Sequence, residues 1–289
     1  MKKKMIYISI IIVICLCLII SYFIYISYYK VSITEYEISS DKIDNNVNIV
    51  MIADVHDQHC KVKSEVVERI RELDPDIILC VGDIIDNQSE SDESIINFLG
   101  ALTDITNVYF SLGNHELEYK YSDKLIENIK NIGVAVLDKE YVDLDINGNQ
   151  IRLGGMYDYA FSQDDGTITK ESMHDNAAYK FLSSMEDTSS FKLMVAHRPD
   201  SFIFGEAYKW NLDLVVSGHY HGGQVILPFI GGLYAPELGW FPKIDYGSYL
   251  LGDELKMIVT RGISSSGELL PRFNNPPEIV NIKLKPEGG

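Results

Sequence analysis

Five of the seven histidines in this chain stand just after apolar, β-forming runs: His56 after VNIVMIAD (47–54), His115 after VYFSLGN (108–114), His197 after KLMVA, and His219 and His221 after DLVVSG. Aspartates and one amide share these positions. The first run ends in Asp54-Val55-His56, DIILCVGD (76–83) ends in Gly82-Asp83-Ile84-Ile85-Asp86, and the third ends in Gly113-Asn114-His115-Glu116. Strand ends are where α/β folds build their sites. Asp-x-His and His-x-His are expected to put two side chains on one face of an extended segment, so that each segment offers two ligands. Carboxylate, imidazole and amide oxygen form a donor set that suits Mn²⁺, Fe or Zn²⁺ rather than Ca²⁺ or an iron–sulfur cluster. There are too many donors for one tetrahedral ion, whereas two ions bridged by a carboxylate would use them. Such a pair neutralises a phosphate, deprotonates a bridging water near neutral pH and stabilises charge as an ester bond breaks.

Each residue taken alone has an ordinary structural role: Asp83 can cap a turn, His197 can pack at a strand end, Asn114 can sit in a turn. Those roles fail jointly. Clustering several buried carboxylates and imidazoles without a metal would cost several kcal/mol per unpaired charge.

The elements that must position these residues alternate. VNIVMIAD reads as a buried strand, SEVVERIREL (64–73) as an amphipathic helix ended near Asp74-Pro75, and DIILCVGD as a second buried strand. SIINFLGAL is a helix, VYFSLGN a strand, and SDKLIENIKN a helix capped by Ser122. The Asn-Gly pair inside YVDLDINGNQIRLGGMYD signals a β-hairpin. FLSSMED is helical, and KLMVAH, DLVVSGH, GGQVILP, YGSYLLG and LKMIVTRG are strands. Two facing sheets flanked by helices account for this α/β order better than one parallel sheet. The final EIVNIKL reads as a last edge strand closed by the loop around Pro276-Pro277, and EISSDKIDNN (37–46) as a linker or an edge strand. Arg261 and Arg272 fit substrate-phosphate clamps and ion-pair partners equally well.

Composition narrows the partners. The formal charge of −17 becomes −21 for residues 31–289, because residues 1–30 carry four lysines and no acid. Such a surface repels nucleic acid and anionic lipid unless a local cationic centre intervenes. The four cysteines show no disulfide or zinc spacing. Residues 5–29 are uncharged; as a helix they would span about 37 Å, enough to cross a bilayer core of about 30 Å. Three lysines precede the run and Lys30 follows it, which places the N-terminus in the cytoplasm and the rest outside. The run exceeds a signal-peptide core and lacks a small-x-small cleavage site, so an uncleaved anchor is expected. The organisation read this way is a transmembrane signal anchor over 1–30, a linker or edge strand over 31–46 and one catalytic domain over 47–289.

The ordered signatures DxH, GDxxD, GNHE, H and GHxH across residues 54–221 resemble the calcineurin-like metallophosphoesterase superfamily. The resemblance implies a four-layer α/β/β/α sandwich with a dimetal site at one end. It makes Asp54, His56 and His221 ligands of one divalent ion and Asn114, His197 and His219 ligands of the other, with Asp83 bridging them. It makes His115 the histidine that contacts the phosphate or protonates the leaving oxygen, and Asp86 the residue that orients it. Gly82, Gly113 and Gly218 are read as letting the backbone turn tightly where the ligands leave the strands. The chain departs from the pattern at DVHDQHC, where many relatives have a glycine; there His59 is read as a rim residue, and His174 as a surface residue or substrate contact.

The anchor, this domain and the run TRGISSSGELLPRFNNPPEIVNIKL look like the membrane-anchored branch, whose relatives include cell-envelope phosphodiesterases and pyrophosphatases acting on UDP-diacylglucosamine. The expected activity is therefore hydrolysis of a phosphodiester or pyrophosphate bond in a lipid-linked or envelope substrate, with manganese the first choice of metal. The stretch VILPFIGGLYAPELGWFP (225–242) follows the last ligands and is a candidate lipid-facing rim. The alternatives are a phosphomonoesterase or nucleotidase and, in a different class, a non-catalytic membrane-anchored metal-binding module, which would need neither His115 nor Asp86.

Overall fold

The computed structural model describes residues 2–57, 60–157, 177–203, 210–252, 255–266 and 270–288. His59 and His174 lie outside the described residues. Helix α1 (Lys2–Tyr29) leads into β1 (Ser32–Ser40), β2 (Val47–Ile52), α2 (Lys63–Leu73), β3 (Ile77–Val81), α3 (Glu93–Thr103), β4 (Asn107–Ser111), the short α4 (Asn114–Glu118), α5 (Ser122–Asn131) and β5 (Ala135–Leu137). The second half holds β6 (Glu140–Ile146), β7 (Asn149–Met156), α6 (Ala177–Met185), β8 (Phe191–Ala196), α7 (Asp200–Ile203) and β9 (Leu214–Ser217). Four short strands follow, β10 (Ile226–Leu227), β11 (Gly231–Gly232), β12 (Tyr234–Ala235) and β13 (Gly239–Trp240). The chain ends with β14 (Gly247–Leu251), β15 (Leu255–Val259) and β16 (Glu278–Pro286).

Period-two alternation builds the layers. In β2, Ile49 and Met51 face a core between two six-stranded sheets, while Val50 and Ile52 face the helices. The first sheet runs β1-β16-β2-β3-β4-β5 and the second β14-β15-β9-β8-β7-β6. Val66 and Ile70 of α2, Leu99 of α3 and Ile129 of α5 cover the outer face of the first sheet. Phe181, Leu182 and Met185 of α6 cover Met194, Val215 and Met257 on the second. The result is the expected four-layer α/β/β/α sandwich preceded by an apolar helix. Parallel pairing of β2, β3 and β4, and of β7, β8 and β9, sends all their C-terminal ends to one side.

The Asn147-Gly148 turn closes the β6–β7 hairpin with φ of 56° and 84°, the left-handed pair that a two-residue hairpin requires. Elsewhere the structure corrects the sequence reading. Ser122 does not cap α5; it is the helix's first residue, and Tyr121 holds the cap position without a side-chain bond. The run GGQVILP yields only the two residues of β10, because His221–Gly223 coil into a 3-10 turn with Gly222 and Gly223 at φ of 59° and 70°. EIVNIKL is not an edge strand: β16 lies between β1, which it pairs in parallel, and β2, which it pairs antiparallel. Ile279, Val280, Ile282 and Leu284 are apolar on both faces and fully buried, as an interior strand demands. Ser32–Ser40 takes the edge instead, with alternating half-exposed polar residues and lysine–glutamate pairs at Lys283–Glu35 and Lys285–Glu37.

Helix α1 is long and apolar enough to cross a membrane, and its side chains from Met5 to Tyr22 stand away from the sandwich. Its last turns touch the sandwich: Phe23 meets Phe273 edge-on at 5.4 Å, and the Asn275 N–H donates to the buried Ser27 Oγ at 3.1 Å.

Candidate metal centre

The loops after β2, β3, β4, β8 and β9 converge, and they bring eight of the nine singled-out residues into three touching groups, with Asn114 next to His115 in sequence. Ligand atoms of Asp54, His56 and His221 lie within 4.8 Å of one another, as do those of Asp83, His197 and His219, and those of His56, Asp86 and His115. The first two groups adjoin: His197 Nε2 is 3.1 Å from Asp83 Oδ2 and 4.0 Å from Asp54 Oδ1. Asn114 opens α4 beside His115, whose backbone N–H donates to Asp83 Oδ1 at 2.8 Å. All of these except Asn114 and His115 are buried.

The local geometry is not the extended one that Asp-x-His and His-x-His imply. Asp54, His56, Asp83, His219 and His221 have φ of 53°, 44°, 54°, 72° and 47°, left-handed values that L side chains adopt at a cost. Interlocking backbone bonds hold them there, from Asp54 N–H to Gly82 O, His56 N–H to Asp83 O and Ser264 N–H to Asp54 O. Gly82 does turn tightly, at φ 75°. Gly113 and Gly218 serve a different need, close approach: a Cβ on Gly113 would collide with the Asp83 carboxylate, and one on Gly218 would lie 2.6 Å from Asp54 Oδ2.

Hydrogen bonds at the far side of each ring fix its tautomer, because a carbonyl or carboxylate can only accept. His197 Nδ1 donates to Val81 O at 2.8 Å and His221 Nδ1 to Ser264 O at 3.2 Å, which leaves Nε2 of each with a lone pair. His219 is reversed: Nε2 donates to Glu237 Oε2 at 2.9 Å, which leaves Nδ1 free to coordinate. His115 Nδ1 accepts the Asn87 N–H at 3.0 Å, so a neutral ring carries its proton on Nε2. Asp86 Oδ2 stands 4.0 Å from both His115 Nδ1 and His56 Nδ1, beyond hydrogen-bond reach.

The charges match. Burial holds the His56 imidazole well below the ordinary histidine range, as a neutral ligand requires. Burial opposes the charge on Asp83, yet His197 and His56 beside it hold its carboxyl well below the usual carboxylate range. Burial likewise opposes a proton on His197, but Asp83 outweighs it and raises the imidazole to about 9. The fit to metal is visible in what lacks a partner: among the described residues, neither ring nitrogen of His56 nor Asn114 Oδ1 has a hydrogen bond, although all three atoms are buried. Buried donors and acceptors are mostly satisfied in folded proteins, so unpaired atoms of these types beside the acid–imidazole groups fit a bound ion.

Several contributors have no prominence in the sequence. Glu116 is fully buried and accepts four backbone N–H bonds, from Asp83, Ile84, Ile85 and Gly113, locking the two loops that carry Asp83 and Asn114. Burial and Asp83 push its carboxyl up to about 7. Its position inside GNHE was the available signal. Glu237 orients His219 from a loop 18 positions downstream and also faces Arg198 at 3.7 Å, an arrangement with no local signature. Arg261 is an ion-pair partner of Glu278 at 2.8 Å. Arg272 is neither a clamp nor a surface residue; it is 1% exposed and donates to the carbonyls of Asn275, Arg261, Ser264, Gly262 and Pro276.

Known proteins resemble this chain in sequence. A metallophosphoesterase of Campylobacter jejuni is 26% identical over 252 residues, covering 86% of this chain but 62% of that protein, so the chain spans less than two thirds of that relative's length. A metallophosphoesterase of Aquifex aeolicus is 27% identical over 272 residues, covering 90% of this chain and 94% of its own. A transmembrane protein with a metallophosphoesterase domain from Danio rerio is 24% identical over 263 residues, covering 88% of this chain and 57% of its own. The Calcineurin-like phosphoesterase pattern matches residues 47–223, which run from β2 through the last histidine of the site. With that match over more than half its length, the chain belongs to the calcineurin-like phosphoesterase family.

Proposed function

We propose that this protein is a membrane-anchored, dimetal phosphodiesterase or pyrophosphatase acting on a lipid-linked or cell-envelope phosphate. The observation that carries the reading is the set of buried, unbonded ligand atoms on His56 and Asn114 beside two acid–imidazole clusters. In this reading Asp54, His56 and His221 would hold one divalent ion and Asn114, His197 and His219 the other, with Asp83 a ligand available to both. When bound, the two ions supply Lewis-acid charge for the phosphate oxygens and lower the pKa of water. The chain's own residues do the rest. His115, with Nδ1 occupied by the Asn87 N–H, presents Nε2–H as a hydrogen-bond donor to a phosphate oxygen, and it is the partly exposed member of its cluster. Asp86 Oδ2 stands 4.0 Å from His115 Nδ1, on the side of the ring away from Nε2, and does not bond to it. Glu116 and Glu237 keep the loops and the His219 tautomer in place.

The oxygen and nitrogen donors favour manganese, with iron or zinc as alternatives. The lysines before the apolar run favour a cytoplasmic N-terminus, with residues 31–289 outside as an edge strand over 31–46 and a catalytic domain over 47–289. An anchor of this kind keeps an enzyme in two dimensions beside lipid-linked phosphates. The test is hydrolysis of bis-p-nitrophenyl phosphate and p-nitrophenyl phosphate by the detergent-solubilised chain loaded with Mn²⁺, beside Asp83→Ala and His115→Ala. Diester preference that vanishes with Asp83→Ala is the expected result. Monoester preference would replace this reading with a phosphomonoesterase, and bound metal without turnover on esters or lipid pyrophosphates would leave a binding module.

A further inference from the structure

Helix α1 leaves the sandwich beside the loop that carries His221, and it does so without slack. Only Lys30 and Val31 separate it from β1. Its Ser27 Oγ accepts from Asn275 N–H, and Asn275 Nδ2 in turn donates to the carbonyls of His221 at 2.7 Å and Gln224 at 3.1 Å. One residue thus joins the helix to the backbone of the candidate metal site. α1 is a strut, not a tether.

The same edge continues into two short hairpins. Phe273, packed on Phe23 of α1, exchanges backbone bonds with Gln224 and Ile226; Ile226 pairs with Gly232 across β10–β11; and Leu233 accepts the Phe241 N–H at 2.9 Å. The tips of this ladder carry Phe229, Ile230, Trp240 and Phe241, which are 109%, 65%, 55% and 58% exposed. Phe229 and Phe241 sit at φ of 68° and 55°, a conformation unfavourable for a bulky side chain. Exposed apolar clusters of this kind mark interaction surfaces. Here the neighbouring element identifies the occupant: an apolar helix of 28 residues emerges from the same edge, with Tyr25 and Tyr29 stacked at 5.7 Å and exposed where a membrane–water interface would lie.

We infer that the end of α1 and the 229–230 and 240–241 tips form one lipid-docking face, occupied by the surface of the bilayer that α1 crosses, so that the His221 loop is held at a fixed height above the lipid. This rests on the reading of α1 as a membrane anchor. Its consequence is that substrates are met at the headgroup level, and the four aromatic and aliphatic side chains of the two tips act as a second point of attachment.

The full-length chain carrying Trp210→Phe keeps Trp240 as its one tryptophan. It is reconstituted in phosphatidylcholine vesicles with or without lipid bearing a nitroxide near the glycerol backbone, and membrane retention is scored by alkaline carbonate extraction. We expect the lipid nitroxide to remove more than about half of the Trp240 emission while aqueous acrylamide quenches it weakly, and Phe229→Ser with Ile230→Ser to reverse both effects. Should Trp210→Phe fail to fold, the difference between the native chain and Trp240→Phe gives the same reading. Retention with Trp240 open to acrylamide and untouched by the nitroxide overturns the docking face and leaves the anchor standing. Release by carbonate overturns the anchor and the docking face with it. Retention with Trp240 shielded from both quenchers overturns the lipid assignment in favour of a second copy of the chain covering the face.

Discussion

Around Arg272 the guanidinium is buried and bonded to five carbonyls and to Asn275 Oδ1, whereas a few residues away, at His56 and Asn114, buried ligand atoms meet no hydrogen-bond partner among the described residues. The two regions share a wall: Ser264 O accepts from both Arg272 Nη1 and His221 Nδ1. The saturated region supplies rigidity, and the unsaturated one is kept open by it. Left-handed φ angles occur on both sides, at five residues of the candidate site and at Asn274 beside Arg272. A fold tolerates unmet polar atoms and strained backbone only where a neighbouring, fully bonded element keeps them from relaxing.

The largest effect should come from filling the open region with carbon. His56→Leu removes a ligand of the proposed centre, so Mn²⁺-dependent hydrolysis should fall well beyond the roughly 100-fold typical of losing an outer-sphere partner. The metal-free chain should lose nothing, because both His56 nitrogens are unbonded and burial already disfavours the ring's charge. Thermal unfolding with and without metal checks both halves, and a metal-free midpoint that drops sharply would erase the contrast between the regions. Next in size is Arg272→Met, which strips the bonded region of its centre. Leaving five carbonyls with one donor fewer should cost about 3–5 kcal/mol with metal absent, measured by denaturant unfolding. A loss below about 1 kcal/mol would mean that water or neighbouring N–H groups take over the brace.

How far each region could be read beforehand follows from the same division. The nine candidate residues are conspicuous because each sits at or near the end of an apolar run, and parallel strands put those ends on one side; their separate roles came from the resemblance. Strand alternation likewise exposes the two-sheet core, as Ile49 and Met51 against Val50 and Ile52 show. What failed were features set by long-range pairing. Nothing near EIVNIKL says that Ser32–Ser40 will cover its flank, and a local pattern cannot distinguish an edge from an interior strand when the neighbour is more than two hundred residues away. Arg272 reads as a surface cation because its carbonyl partners are backbone atoms, which no residue type advertises. The left-handed turns at Asp54 and His219 are invisible for the same reason: tertiary bonds, not local preference, impose them.

A third substitution probes the seam between bonded and unbonded atoms. Glu237→Ala removes the acceptor that sets the His219 tautomer, so Mn²⁺ affinity should weaken by about 10-fold to 100-fold with little change in metal-free stability. Glu237→Gln keeps an acceptor oxygen and should recover most of the affinity by calorimetric titration. Equal losses for both variants would assign Glu237 a purely electrostatic effect.

The smallest effect tests whether saturation alone, without burial, can brace a structure. Arg152 makes two bonds to Asp143 across the β6–β7 hairpin, at 2.7 and 3.0 Å, but the Asp143 side chain is 53% exposed, against 3% for Glu278 in the pair with Arg261. The Arg152 hydrogen bond holds the Asp143 carboxyl below its ordinary value. A depressed carboxyl contributes stability that is present above the unfolded pKa of about 3.9 and is lost as pH falls through the lower folded value. Solvent screens so exposed a pair, which limits the contribution to about 0.2–1 kcal/mol. Asp143→Asn should therefore cost at most that much at neutral pH, and the gap from the parent chain should close as pH is lowered through the folded pKa. Denaturant midpoints of the two chains across that range give the answer. A loss at neutral pH as large as that of Arg272→Met would show that bond number, not burial, sets the strength of the brace, and the contrast between the two regions would then rest on the open atoms alone.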